Sequence, residues 1–263
     1  MGLSFNEFKD EAIKILNIDL DSYKIKRVKR RTDSLMRRHN IKTYDDCLEL
    51  IKRDTDFRAA YLNHFTINTS EFFRNPENFD YLRDKVLPGL FNKQEKVKIW
   101  SAPCSNGAEP YSIAIILEEM NIKPHRYEIL ASDIDPDILE MARTGIYSNN
   151  ILQNVSPELL KKYFSPVQKN SNSKYQLTKD IINRVTFERK DLLKENYSSD
   201  WDLILSRNFF IYLTREVKER LTRKFTMALK PGGYLFLGNT EFIFDPRRYG
   251  LTKLYSSFYK KED

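Results

Sequence analysis

Apolar residues recur every three or four positions through the first quarter of the chain, which is the spacing of amphipathic helices. Ser4 and Glu7 have the spacing of a capping box and predict that the first helix begins there. Its apolar stripe consists of Phe5, Phe8, Ala12 and Ile15, and that of the second helix consists of Ile25, Val28, Thr32, Leu35 and Met36. With two further helices expected over residues 44–52 and 56–66, the pattern predicts a small all-helical domain.

The rest of the chain alternates between short apolar runs and helical patterns. Runs rich in β-branched or aromatic residues predict strands at 97–100, 127–132, 185–189, 201–206 and 233–238, with an antiparallel pair over 249–260. Helices are expected at 76–87, 111–120, 136–144 and 215–229. Strands that alternate with helices are typical of an α/β fold. Between 149 and 186 the chain is polar and broken, with short strand pieces expected at 164–167 and 175–178.

One strand-to-helix junction, residues 100–112 (WSAPCSNGAEPYS), has the features of a ligand-binding loop. Its small residues let a ligand approach the backbone, and Pro110 fits the first turn of the following helix. A dinucleotide-binding loop has the pattern G-x-G-x-x-G, whereas this loop has only Gly107, so a diphosphate ligand is not expected. Glu109 has the wrong charge for a phosphate and the right charge for a cationic group. S-adenosylmethionine has an ammonium, a sulfonium and no phosphate, and is the ligand class that suits this loop.

Polar residues also follow two other predicted strands. Asp133 ends the second strand of the sheet, where an acid can accept hydrogen bonds from both hydroxyls of a ribose. Arg207 and Asn208 follow the strand that ends at residue 206, and we expect both at the cofactor because ligands bind at the carboxyl ends of such strands. Asp135, directly before a proline, is expected to cap the next helix.

The composition is that of a globular protein with a substantial core, since 41% of the 263 residues are hydrophobic and 13% are aromatic. No apolar run approaches the roughly 20 residues that span a bilayer, and the N-terminus lacks a signal-peptide pattern. We therefore expect a cytoplasmic protein without membrane insertion. Cys47 and Cys104 are too few and too poorly spaced for a disulfide framework or a zinc site, and the three histidines are scattered, so no metal is expected.

The net charge of +7 comes mainly from one segment, between residues 24 and 38. Most of the basic residues of this segment lie opposite the apolar stripe of the second helix, so that face meets solvent, nucleic acid or an acidic protein. The sequence pattern alone leaves these alternatives open. The basic residues are Lys24, Lys26, Arg27, Lys29, Arg30, Arg31, Arg37 and Arg38.

Five segments, in order along the chain, resemble motifs of the chemotaxis receptor methyltransferases, the CheR family. They are residues 68–74 (NTSEFFR), 100–112, 131–135 (ASDID), 206–212 (SRNFFIY) and 229–238 (LKPGGYLFLG). The resemblance implies an α/β fold with a Rossmann-like class I sheet of S-adenosylmethionine-dependent methyltransferases. It also implies an N-terminal helical receptor-docking domain at 1–67, a methyltransferase domain at 68–263, and a small β-subdomain inserted at approximately 160–186.

The resemblance assigns roles to individual residues. It places Asn68, Ser70, Arg74, Asp191 and Leu192 at the cofactor, together with Glu109, Asp133, Arg207 and Asn208. It makes Arg74 and Tyr212 the candidate catalytic residues, which would orient the carboxylate of the substrate. It turns the basic helix towards the methylation helices of a receptor, with Lys26, Arg27, Arg30, Arg31 and Arg37 as docking residues.

The implied activity is O-methylation of glutamate side chains on the cytoplasmic domains of bacterial chemoreceptors, which gives glutamate methyl esters and S-adenosylhomocysteine. An ionised carboxylate needs no strong general base, so no triad or metal is required. A monomer that binds no nucleic acid is expected. Two alternatives stay open: a methyltransferase of the same fold acting on RNA or another protein, and a catalytically silent adaptor. Departures from the family pattern at Pro103, Asn106, Ala108 and Ser206 leave room for the adaptor.

Overall fold

The computed structural model describes residues 2–16, 18–65, 70–168 and 173–262. The chain divides into two compact units. The first comprises Met1–Asn68 together with Tyr212–Lys218, and the second comprises Thr69–Ile211 and Glu219–Asp263. The domain limits expected from the sequence stay a prediction.

Among the described residues of the N-terminal part of the first unit, there are four α-helices, close to the limits expected from the apolar spacing. They are α1 (Phe5–Leu16), α2 (Ile25–Arg38), α3 (Tyr44–Arg53) and α4 (Thr55–Phe65). Ser4 and Glu7 make both bonds of the capping box: Glu7 Oε2 accepts from the Ser4 N–H at 2.8 Å, and Ser4 Oγ accepts from the Glu7 N–H at 3.4 Å. Each helix gives its apolar side to one core, which includes Phe8, Val28, Ile51 and Tyr61.

The second unit is built on a mixed sheet of seven strands. In chain order, the strands of the described residues are β1 (Val97–Ser101), β2 (Tyr127–Asp133), β3 (Ile146–Ser148), β4 (Phe164–Gln168), β5 (Lys174–Leu177), β6 (Val185–Arg189), β7 (Trp201–Ser206), β8 (Leu229–Leu237), β9 (Leu251–Tyr255) and β10 (Phe258–Lys261). The large sheet has the order β6-β2-β1-β7-β8-β10-β9. The first five strands in this order are parallel, and β8, β10 and β9 pair antiparallel. The expected α/β class and the antiparallel pair near the C-terminus are confirmed.

The parallel strands are buried because helices cover both faces of such a sheet. All six residues of β7 are buried. The helices of this unit are α5 (Pro76–Tyr81), α6 (Leu87–Phe91), α7 (Ala108–Glu119), α8 (Pro136–Thr144), α9 (Pro157–Tyr163), α10 (Lys179–Ile182) and α11 (Arg215–Ala228), with a π-helical turn, Leu82–Val86, between α5 and α6. Within the described ranges, no helix has the length and apolarity required to cross a membrane.

Strand β8 begins earlier than the sequence predicted. Pro231 and the two glycines after it are typical of a break, so the strand was expected to begin at residue 233. Instead, Leu229 already pairs with Trp201, and the register shifts before Tyr234 pairs with Leu203. Gly233 lies in this irregular stretch, where a Cβ would meet the Trp201 carbonyl oxygen at 3.0 Å.

A second sheet of three strands, ordered β3-β5-β4, makes up the inserted β-structure. Strands β4 and β5 lie where the short strand pieces were expected. Strand β3 was not predicted, because three residues are too few to show a hydrophobic period. It pairs antiparallel with β5 and buries Tyr147.

Candidate functional site

The carboxyl ends of the parallel strands bring several predicted site residues together. After β1, the chain turns through residues 102–107 before α7 begins. The Ala102 N–H donates to the Leu205 carbonyl of β7 at 2.8 Å, and the Cys104 N–H donates to the Ser132 carbonyl of β2 at 2.8 Å. This turn therefore lies across the ends of β1, β2 and β7, the place where an α/β sheet binds ligands.

Asp133 is buried at the end of β2 and shapes this turn. Its Oδ2 accepts from the Ser105 N–H at 2.9 Å, and its Oδ1 accepts from the Asp135 N–H at 3.1 Å. Burial raises the pKa of Asp133 to about 6. Each carboxylate oxygen has a further lone pair, so these bonds leave acceptor capacity for hydroxyl groups of a ligand.

Glu109, in the first turn of α7, forms a buried ion pair with Arg207, which follows β7. Arg207 Nη1 lies 3.3 Å from Glu109 Oε2, and the Ser101 hydroxyl donates to Glu109 Oε1 at 2.8 Å. Burial raises the pKa of Glu109, although Arg207 opposes this rise. From the sequence, Glu109 was expected to bind a cationic group of the ligand. In the structure, its carboxylate is paired with the guanidinium of Arg207. Its role towards a ligand stays a prediction.

The Arg207 guanidinium is held from several sides. Its carbon lies 4.6 Å from the centre of the Phe236 ring and 5.3 Å from that of Phe79. Its Nη2 donates to the Arg74 carbonyl at 2.6 Å and to Asn75 Oδ1 at 3.0 Å. Asn75 precedes Pro76 at the start of α5, but its side chain makes no capping bond there and instead accepts from Arg207.

The segment 70–75 is attached to the same turn. The Phe73 N–H donates to the Ser112 hydroxyl at 2.9 Å, and Asn106 Nδ2 donates to the Ser70 carbonyl at 3.0 Å. Arg74 is partly exposed, and its Nε lies 3.8 Å from Glu71 Oε1. The structure thus brings Ser70, Arg74, Glu109 and Arg207 into one bonded cluster, while Asn68 lies outside the described residues.

Four of the nine non-glycine residues with left-handed backbones in the described chain lie in these segments. Phe73, Asn75, Ser105 and Asn208 have φ angles of 50°, 62°, 51° and 60°. Such left-handed conformations are unfavourable for side chains other than glycine, and they persist where surrounding contacts impose them. They are found preferentially at functional sites, which agrees with the position of this cluster.

The residues present fit S-adenosylmethionine. Three buried polar atoms, Ser105 Oγ, Ser206 Oγ and Arg207 Nε, have no hydrogen-bond partner in the described part of the chain. Unsatisfied buried groups are rare in proteins. Ser105 lies in the turn after β1, Ser206 ends β7 and Arg207 follows it, whereas the other such atoms of the described chain lie elsewhere, on Asn78, Tyr127, Thr178 and Arg184. A ligand with hydroxyl, amino and carboxylate groups can satisfy them. The two buried acids and the single glycine of the turn do not suit a diphosphate.

Comparison with known proteins identifies the family. Residues 68–256 match the family model described as "CheR methyltransferase, SAM binding domain". Residues 3–66 match the model described as "CheR methyltransferase, all-alpha domain". The chain belongs to the CheR methyltransferase family. The resemblance noted in its motifs and the expected class I fold with a helical N-terminal domain are thereby confirmed.

Curated CheR relatives match over most of the chain. It is 36% identical to a chemotaxis protein methyltransferase of Listeria innocua over 247 residues, which are 94% of this chain and 92% of the relative. It is 30% identical to one of Borreliella burgdorferi, over 92% of this chain and 91% of the relative. A solved TehB-like SAM-dependent methyltransferase of Corynebacterium glutamicum matches with a TM-score of 0.40 and 13% identity, over 72% and 97% of the two chains. A structural likeness of that size supports no functional argument.

The other predicted cofactor residues of this CheR chain have bonds of their own. Asp191 Oδ1 accepts from the Leu193 N–H at 2.9 Å and so caps a short turn after β6, in which Leu192 is buried. The Asn208 N–H donates to Glu241 Oε2 at 2.8 Å. Contacts of Asp191, Leu192 and Asn208 with a cofactor stay predictions.

Tyr212, the second catalytic candidate, groups with the helical unit. Its carbonyl accepts from the Lys24 N–H at 2.9 Å, and the Arg27 guanidinium carbon lies 4.9 Å from the centre of its ring. Arg27 is half-buried, so its expected docking role competes with this contact.

The remaining docking candidates of α2 differ in their surroundings. Arg31 is half-buried and its guanidinium donates to the His64 carbonyl, with Nε at 2.7 Å, so it joins α2 to the end of α4. Lys26, Arg30 and Arg37 are exposed. The docking roles of all five candidates stay predictions. Lys26, Arg30 and Arg37 could bind a partner without breaking a hydrogen bond to another described residue.

Sequence reasoning missed Glu241. This buried carboxylate accepts three backbone N–H groups: those of Asn208 at 2.8 Å, Gly238 at 2.7 Å and Ile211 at 3.1 Å. Burial raises its pKa. A Cβ on Gly238 would lie 2.6 Å from Glu241 Oε2, so the approach requires glycine there. The available signal was an acid four residues after a buried strand, followed by an aromatic residue.

Proposed function

We propose that this CheR-family protein transfers the methyl group of S-adenosylmethionine to glutamate side chains on the cytoplasmic helices of a chemoreceptor. The observation that carries the proposal is that the bonded cluster of Ser70, Arg74, Glu109 and Arg207 and the buried Asp133 both lie at the carboxyl edge of the sheet. The names of the curated relatives support the chemotaxis context.

The chain's own residues would hold the cofactor at this edge. Asp133 would accept hydrogen bonds from the ribose hydroxyls, and Ser105 and Ser206 offer hydroxyl groups that lack partners within the described chain. Arg207 and Glu109 together present donors and acceptors for the amino-acid end. When bound, S-adenosylmethionine supplies a methyl group already activated by the sulfonium.

The reaction places modest demands on the protein. A glutamate side chain is ionised at neutral pH, so no residue has to remove a proton from it. The protein must hold the carboxylate oxygen in line with the methyl group and exclude water. Arg74 would offset the charge of the incoming carboxylate. The catalytic role of the Tyr212 hydroxyl stays a prediction from the family resemblance.

Electrostatics favours a substrate that is acidic. The exposed residues Lys26, Arg30 and Arg37 lie on α2, whose apolar residues pack in the core of the helical unit. Charges of this kind speed encounter with an oppositely charged partner and lose strength as salt rises. Receptor helices that present several glutamates would meet this requirement.

The test is transfer of a labelled methyl group from S-adenosylmethionine to a purified receptor cytoplasmic fragment. We expect label on the fragment that is released as methanol in base, as for an ester, and no label when the candidate glutamates are replaced by alanine. Structured RNA serves as the competing substrate. Label on RNA alone would show that the protein is an RNA methyltransferase. Cofactor binding without methylation of either substrate would indicate an adaptor.

A catalytic variant separates chemistry from cofactor binding. Replacing Arg74 with methionine keeps much of its length and removes its charge, so we expect the transfer rate to fall about 100-fold or more. The loss in cofactor affinity, measured by calorimetry, should be smaller than the loss in rate. Equal losses in both would restrict Arg74 to a binding role.

A further inference from the structure

Two phenylalanine side chains are exposed in the loop that follows β8. The exposed fraction is 65% for Phe242 and 77% for Phe244. The residues that alternate with them, Glu241 and Ile243, are buried. Two exposed aromatic rings, two residues apart in one loop, are a candidate interaction surface.

The alternation is imposed by hydrogen bonds on the buried side of the loop. Glu241 accepts the N–H groups of Asn208, Gly238 and Ile211. The Ile243 N–H donates to the hydroxyl of the fully buried Tyr259 at 3.1 Å. With residues 241 and 243 fixed in this way, the side chains of Phe242 and Phe244 are directed outwards.

The loop belongs to the edge of the sheet where the proposed reaction takes place. Its anchor, Glu241, bonds the backbone of Asn208 and Ile211, directly after Arg207 of the bonded cluster. The same loop continues into Arg247 and Arg248, both exposed. It therefore presents two aromatic rings followed by two positive charges, which suits an amphipathic and acidic partner.

We propose that residues 242–248 form a second substrate-docking surface, which binds the acidic amphipathic helix that carries the target glutamate. Phe242 and Phe244 pack against the apolar side of that helix, and Arg247 and Arg248 face its acidic side chains. The inference rests on the proposed function. A second copy of this chain is a poorer occupant because each copy has a net charge of +7, and like charges repel.

The experiment measures binding and transfer separately. Affinity for a fluorescent receptor cytoplasmic fragment is measured by anisotropy without cofactor, and KM and kcat by labelled methyl transfer. For the double variant Phe242→Ser with Phe244→Ser we expect the Kd and KM for the fragment to rise about tenfold or more. Cofactor affinity should be unchanged, and kcat should change less than about threefold. For Arg247→Glu with Arg248→Glu, the loss should shrink as salt rises.

The matched control is Met227→Ser, which removes another exposed apolar side chain, 78% exposed, from α11. It should leave all four quantities unchanged. An unchanged Kd in the double phenylalanine variant would overturn the proposal, and so would a loss of cofactor affinity, which would make the loop a support of the cofactor site. A change in sedimentation would assign the surface to a second copy, and weakened binding of RNA alone would assign it to nucleic acid.

Failure of the proposed function gives a different result. If the wild-type protein binds the fragment but transfers no methyl group, the methylation proposal fails, and the anisotropy measurement still decides whether this surface docks the helix. If the wild-type protein does not bind the fragment, the docking proposal fails irrespective of the transfer result.

Discussion

Asp133 combines a structural and a proposed binding role within one carboxylate. Its two oxygens hold the backbone of Ser105 and Asp135, and burial raises its pKa to about 6. A carboxyl group binds hydroxyl donors best when it is ionised. The raised pKa therefore brings the loss of that ionised form into a pH range where the protein can be studied.

From this we predict a pH dependence of cofactor affinity. Above pH 7 the Asp133 carboxyl is ionised and affinity is at its highest, and below about pH 6 affinity should fall by up to about tenfold per pH unit as the group takes up a proton. Calorimetric titration with S-adenosylmethionine from pH 5 to pH 8 measures this.

The control is Asp133→Asn, which keeps the shape of the side chain but does not titrate. It should bind more weakly than the wild type at pH 8 and show a flat profile. A slope that persists in this variant would assign the titration to another group, of which Glu109 is the first candidate because burial raises its pKa as well.

For individual residues, the sequence predicted the position along a strand or helix better than it predicted the hydrogen-bond or ion-pair partner. Asp133 ends β2 and Arg207 follows β7, as expected, because the end of a strand is visible as the end of an apolar run. The Glu109–Arg207 pair and the bonds of Glu241 were not predicted, since their partners are distant along the chain. The pairing of Arg207 with Glu109, the acid of the loop motif, is visible only in the folded structure.

Among the elements, helix α2 shows how one basic stretch contains residues with different tasks. Arg31 bonds the His64 carbonyl, Arg27 lies over the Tyr212 ring, and Lys29 pairs with Asp33 at 2.8 Å. Lys26 and Arg30 are exposed. Reversing the charge of Arg31 would also break its hydrogen bond to the His64 carbonyl, so a change in binding could not be assigned to docking alone. Lys26 and Arg30 are the better targets.

We predict that Lys26→Glu with Arg30→Glu raises the KM for the receptor fragment about tenfold at low salt, because two attractive charges become repulsive. The increase should diminish above about 0.3 M salt as the charges are screened. Cofactor affinity and the thermal unfolding temperature should stay the same.

The control, Lys85→Glu with Lys93→Glu, makes the same change in net charge at two exposed positions of the other unit. An equal rise in KM for both double variants would show that only the total charge matters, and the docking role of α2 would have to be abandoned.

Element limits were predictable where the signals are local. Helix α8 has the predicted limits because Asp135 caps it, accepting from the Asp137 N–H at 3.0 Å, and Pro136 begins it. Helix α5 also begins at its proline, although Asn75 bonds Arg207 in place of capping. Strand β3 was missed because its pairing with β5 depends on residues almost thirty positions away.

In the large sheet, the carboxyl ends and the amino ends of the parallel strands, here called the carboxyl edge and the amino edge, contain different groups of polar residues. The carboxyl edge holds the proposed site, and the amino edge contains a buried ion pair. Asp202, 1% exposed, lies 2.9 Å from Lys230 Nζ and accepts the Lys98 N–H at 2.8 Å. One carboxylate thus ties together β1, β7 and the start of β8.

We predict that Asp202→Ala lowers the free energy of unfolding by about 3 kcal/mol, because it leaves Lys230 and the Lys98 N–H without their acceptor. Chemical denaturation measures this. Asp202→Asn, which can still accept from the Lys98 N–H, should lose less. Cofactor affinity at 25 °C should remain within about twofold of the wild type in both. A larger change would contradict the division of tasks between the two edges.

The alternation of strands and helices was sufficient to predict the α/β class, and the spacing of apolar residues in the first quarter of the chain predicted the helical N-terminal domain. Neither indicated that Tyr212–Lys218 would group with the helical unit. That assignment depends on main-chain bonds formed only in the folded protein, such as the one from the Thr214 N–H to the Ser22 carbonyl at 3.0 Å.

The grouping of Tyr212–Lys218 with the helical unit affects how the N-terminal segment and the rest of the chain can be exchanged between homologues. A chimera that joins residues 1–68 of one homologue to the remainder of another would pair a foreign Ser22–Lys24 backbone with the native 212–214 backbone, including the Tyr23–Leu213 bridge. Because these bonds join backbones, they tolerate exchanged side chains, whereas the contact between the Arg27 guanidinium and the Tyr212 ring needs a matching pair of residues. Positions 27 and 212 are therefore expected to vary together among homologues.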